Sequence, residues 1–171
     1  VIATDPEIDL ALIRTKAIPP RYAPFRFYGR ALGAGDGLLV MGYPGDHGVT
    51  GKYKVVDSKV IATDGPMGQA QWLQFEDAAQ HGNSGGPLLD LSGNVVGVIV
   101  GKATVTRTNM QNGRDEVVRE SDIAISLPHV AEFLDDNRVH YWKMYSDLQH
   151  SRSYIEQNAR NYIVNIHCRS D

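Results

Sequence analysis

Up to about Asp122 the chain repeats one pattern, a short alternating or apolar run followed by a break at glycine, proline, aspartate or asparagine. Runs of this kind predict β-strands and leave no room for a useful helix between them. They are DLALIR, FRFYG, GLLVMGY, YKVVDSKVIAT, QWLQFE, GPLLDL, NVVGVIVGKA and ESDIAIS, with turns at residues 33–37 and 44–48 among them. In LDLSGNVVGV, Ser92 and Gly93 read as a two-residue connection, which predicts an antiparallel hairpin.

After DIAIS the period lengthens. Ser126 is placed to cap, Pro128 suits a first helical turn, and Val130, Phe133 and Leu134 form a stripe, predicting a helix over Leu127–Asp136. Tyr141, Met144, Tyr145, Leu148 and Ile155 roughly keep helical spacing, and Ser153 with Glu156 fits a capping box, so a second helical segment is expected. The tail NYIVNIHC returns to strand character, with Tyr162, Val164 and Ile166 on one face.

Composition narrows the class. A length of 171 residues suits one domain with a real core plus an appendage. The 42% apolar and 22% charged residues are globular values, and a net charge of -3 excludes an electrostatic footprint for nucleic acid or anionic membrane. Cys168 is the only cysteine, so no internal disulfide forms. With no basic-then-apolar leader in VIATDPEIDL, this favours the cytoplasm. No apolar run approaches membrane-spanning length.

The chemistry concentrates in HGNSGGPLLD, residues 81–90, where Ser84 sits among turn formers just before an apolar strand. A serine hydroxyl needs a base within hydrogen-bond reach, and an oxyanion needs preorganised donors. Glycines at 82 and 85 free the backbone so that the Gly82 and Ser84 N–H groups can converge on one point. Alone, GNSGG also fits a plain glycine-rich turn.

The surroundings make the pattern specific. GNSGGPLLDLSGNVVGV resembles the nucleophile loop and following hairpin of chymotrypsin-like serine peptidases, closest to the bacterial HtrA-type branch. LQFEDAAQHGNSGGP upstream, GDGLLVMGYPG and DIAISLPHVAEFL extend the resemblance over residues 5–136. It implies a mainly β fold, a chymotrypsin-like antiparallel β-barrel with C-terminal helices. It also implies hydrolysis of protein or peptide substrates through an acyl-enzyme on Ser84. Asp9, in DLAL, matches the family's triad aspartate, which would hold a histidine and stabilise its imidazolium. Gly82 and Ser84 match the oxyanion donors. Ala78 matches the pocket floor, and Val98, Ile99 and Val100 a pocket wall; with no charge there, the first-side pocket is expected to take a small or medium apolar side chain.

The chain also departs from the family, whose histidine lies in a first barrel upstream of the aspartate. Only eight residues precede Asp9. The expectation for residues 1–136 is the end of a first barrel plus a complete second barrel and closing helix, with most of the first barrel absent. His47 lies in a loop, His81 is too local to Ser84, and His129, His140 and His150 fall in helical segments. His167 resembles the family's H-C pair but lacks its small flanks. ARNYIVNIHCRSD fits the opening strand of a first barrel better, either of a second peptidase unit or of this site in a permuted order. Residues 137–171 thus form a helical segment and strand, also available to a regulatory partner. Neither metal nor organic cofactor is expected, since GAGDG lacks a dinucleotide loop's spacing and His167 and Cys168 alternate across a strand. The competing expectation is a protease-fold binding module without turnover.

Overall fold

The computed structural model describes residues 1–16, 19–45, 52–76, 78–108 and 115–166. In chain order the elements are β1 (Ala3–Asp5), β2 (Leu10–Leu12), β3 (Pro24–Tyr28), β4 (Gly37–Gly42), β5 (Lys54–Ala62), β6 (Trp72–Phe75), β7 (Pro87–Asp90), β8 (Val95–Thr108), β9 (Asp115–Ser126), α1 (Leu127–Asp136), β10 (Trp142–Tyr145) and α2 (Arg152–Ala159). Strands β4, β5, β6, β9, β8 and β7 pair antiparallel in that order, and β7 returns to β4, closing a barrel. Closure gives each of these six strands a partner on both sides. The expected β architecture is therefore present. β1 and β2 form a separate two-stranded antiparallel sheet.

Strand periodicity explains the core. Leu38, Val40, Leu88, Val96, Ile99 and Ala124 pack in one buried cluster with Phe75 and Leu73. The alternate residues Leu39, Met41, Leu89 and Val95 are also buried, because Ile155, Ala159 and Ile163 cover them. GLLVMG is a continuous apolar run for that reason, with both of its faces out of water.

Several local expectations change. The β7–β8 connection is longer than Ser92 and Gly93, since Asp90 N–H bonds Asn94 O at 2.9 Å. The Asp90 carboxylate organises it, accepting Ser92 and Asn94 N–H on one oxygen and Arg26 and Ser146 on the other. Ser126 stands at the α1 N-cap, but its hydroxyl meets Ala70 O and His129 Nδ1 instead of capping. The expected helix through 141–148 is instead the exposed strand β10, parallel to β3. Cross-strand aromatic packing decides this: Phe25 and Tyr141 stack with centroids 5.1 Å apart, as do Tyr28 and Tyr145 at 4.8 Å. α2 is capped by Ser151 Oγ, which accepts from Tyr154 N–H, whereas Glu156 pairs with Arg160. Ser153 is thus not the cap. The described part of the tail, 161–166, is not a strand: Tyr162 and Ile163 N–H both turn back to Ala159 O, which drops Ile163 into the core. His167 and Cys168 lie outside the described residues.

Candidate active site

Ser84 lies on a loop between β6 and β7 that hydrogen bonds lock to the barrel. Gly85 N–H donates to Ile99 O at 2.8 Å, Ile99 N–H to Gly86 O at 2.9 Å, and Gly86 N–H to Asn83 O at 2.9 Å. The sharp bend needs left-handed backbone at Gly82 (φ 91°) and Gly85 (φ 79°), which only glycine adopts without strain. At Gly82 there is also no room, since a Cβ would stand 2.7 Å from Tyr43 O.

The same loop sets the direction of its amides. His81 O accepts from Gly45 N–H at 2.9 Å, and no cis peptide bond occurs among the described residues. In a trans peptide the carbonyl and the following N–H point oppositely, so Gly82 N–H faces away from Gly45. Among the described residues neither Gly82 N–H nor Ser84 N–H has an acceptor. The Ser84 hydroxyl is exposed and donates to Val100 O at 2.7 Å.

Two cavities meet at Ser84 and Gly45. One, of about 540 Å³, runs along Gly82, Gly85, Pro87 and Val98 to residues 162–166. The other, of about 940 Å³, is lined by Ala79, Gln80, His81, Val100, Gly101 and Lys102 among others. Of the sequence-derived pocket residues, Val100 lines the second cavity and Val98 the first. Ile99 and Ala78 are buried in the barrel cluster and line neither cavity. His47 lies outside the described residues.

Asp122 was not anticipated. Fully buried, it accepts Ala78 N–H at 2.7 Å and Ala79 N–H at 2.6 Å on one oxygen, anchoring the root of the Ser84 loop. Such charge-assisted bonds contribute about 1.5–3 kcal/mol each. Its other oxygen has no partner among the described residues. The legible signal was position: Asp122 shares the inward face of β9 with Ala124, where alternation calls for an apolar residue.

Asp9 is exposed at the entry to β2, with φ 58°, in a hairpin turn where Asp5 accepts Glu7 and Ile8 N–H. The structure does not bond it to Ser84, whose hydroxyl points at Val100 O. None of the described histidines bonds Ser84 either: His81 is exposed beside it, His129 meets Ser126, and His150 stacks on Tyr154. Near the first cavity, burial pushes the Tyr53 phenol up to about 12 and raises Tyr162 as well, so both stay neutral at ordinary pH. Among the described residues no group of three or more His, Cys, Asp or Glu is placed to hold a metal, and no helix is long and apolar enough to cross a membrane.

Comparison with known proteins places this geometry. The family described as Trypsin-like peptidase domain matches residues 1–98. Uncharacterized protein y4bJ of Sinorhizobium fredii is 36% identical over 102 residues, covering 60% of this chain and 16% of that protein. Serine protease Rv3671c of Mycobacterium tuberculosis is 30% identical over 110 residues, covering 60% of this chain and 27% of that protein. The chain thus spans at most about a quarter of the length of these relatives. The crystal structure of Rv3671c protease in its active form superposes with a TM-score of 0.55 at 23% identity, covering 84% of this chain and 60% of that one, which establishes the fold.

Proposed function

Since this chain belongs to the trypsin-like peptidase family, matched across residues 1–98, we propose that it carries the nucleophile half of a serine endopeptidase acting on protein or peptide substrates. The observation that carries the reading is the loop itself: an exposed hydroxyl on the same turn as two N–H groups without acceptors among the described residues, on backbone that bonds to β8 hold still. Preorganised donors of this kind stabilise a developing oxyanion without reorganising at the moment of reaction.

In the proposed mechanism Ser84 Oγ attacks the scissile carbonyl carbon while a histidine takes its proton. The carbonyl oxygen becomes negative and is held by the Gly82 and Ser84 N–H groups. The C–N bond breaks as the imidazolium returns the proton to the leaving amine, and water then hydrolyses the Ser84 ester by the same route. Asp9 orients the histidine and stabilises its cation. The base is a histidine that the described residues do not supply, so the hairpin bearing Asp9 and the loop bearing Ser84 meet around it. The binding-module reading draws on one observation, the absence of any described histidine bonded to Ser84.

Labelling with a fluorophosphonate probe separates the two. The intact protein is expected to label at Ser84, to lose the label in Ser84→Ala, and to label about 10⁴-fold more slowly in Asp9→Asn. A folded intact protein that takes no label, or a label that persists in Ser84→Ala, would overturn the proposal.

A further inference from the structure

The smaller cavity beside Ser84 has a wall from an unexpected source. Residues 162–166 line it together with Gly82, Gly85 and Pro87, and they lie outside the stretch matched by the peptidase family. Packing fixes this segment in place: Ile155, Ala159 and Ile163 are buried against Leu39, Met41 and Leu89, and Tyr162 reaches toward Gly93 O at 3.5 Å. Beyond that anchor, Val164 and Ile166 remain 58% and 55% exposed. Large apolar side chains left in water beside a reactive serine have an occupant to gain.

A peptide attacked by Ser84 must leave the serine in two directions. Its acyl side takes the cavity of Ala79, Val100 and Lys102, where the Ser84 hydroxyl meets Val100 O, and this step rests on the proposed function of Ser84. The residue following the scissile bond then enters the other cavity. Among the described lining residues that cavity has no charged side chain, so a charged group there would lose water and gain no partner.

We infer that residues 162–166 form the leaving-side subsite, and that Val164 and Ile166 select substrates with an apolar residue immediately after the scissile bond. The segment is then part of the peptidase site rather than a spacer behind it.

The test uses the intact protein and peptides that differ only in the residue after the scissile bond, Leu, Gly or Asp, together with an ester that has no residue there. Wild type is expected to favour Leu over Gly by about 10–100-fold in kcat/KM, and to cleave the Asp peptide least. In Val164→Ser/Ile166→Ser the Leu-to-Gly ratio should fall to within about 3-fold, and Ile166→Lys should raise the Asp-to-Leu ratio. Ratios are read within each form, so a general loss of activity cancels. Ester hydrolysis with ratios the same in all forms would overturn the inference, with another segment of the protein covering Val164 and Ile166. No ester hydrolysis by any form, or hydrolysis that survives Ser84→Ala, would overturn the reading of Ser84 and this inference with it.

Discussion

Backbone bonds around Ser84 run into the barrel, from Gly85 N–H to Ile99 O and from Ile99 N–H to Gly86 O, whereas Asp9 stands exposed in a two-stranded sheet of its own. The Ser84 loop inherits its precision from a closed sheet and from the buried Asp122 carboxylate at its root. The hairpin has its own two-stranded ladder and its turn, where Asp5 accepts two N–H groups. In a site assembled from both, attack geometry is built into one region, and proton transfer depends on how the other is docked.

Stability measurements should split the two regions first. Leu88 is fully buried at the centre of the barrel cluster, so Leu88→Ala is expected to cost about 2–5 kcal/mol. Ile13, just past β2, is 41% exposed, and Ile13→Ala should stay within about 0.5 kcal/mol. Urea midpoints of the intact protein check both, and equal losses would mean that the hairpin is as tightly packed as the barrel. The next largest effect belongs to Gly82. Gly82→Ala forces a side chain onto left-handed backbone and against Tyr43 O, turning the N–H away. Turnover should fall about 10²–10³-fold, the loss of one oxyanion donor. An alanine variant with unchanged kcat would remove that amide from the mechanism.

How far the residues alone reveal this division depends on how local each signal is. The Ser84 bend was legible because glycine, asparagine and proline state their backbone needs within seven residues, and α1 because Ser126, Pro128 and an apolar stripe agree. β10 was not, because Tyr141, Met144, Tyr145 and Leu148 satisfy a helical period equally well, and only pairing with β3 decides between them. The cap of α2 has the same cause. Ser151 and Ser153 are equivalent until Ile155 docks on the barrel. Asp122 meets Ala78 and Ala79 across more than 40 residues, a separation that local pattern does not carry.

The smallest effect is the sharpest probe of the hairpin. Asp9 and Arg138 are the non-glycine residues with positive φ among those described, and a left-handed aspartate is mildly strained. In the proposed triad, that backbone fixes where the carboxylate projects. Asp9→Gly relaxes the backbone and removes the carboxylate in one change. Stability should rise by about 0.5–1 kcal/mol while probe labelling slows as much as in Asp9→Asn. Thermal denaturation and labelling rate, measured on the same preparation, test the two halves together. A variant that loses stability would show that the Asp9 side chain holds the hairpin in place, and one that labels at the wild-type rate would free Asp9 from the proposed triad.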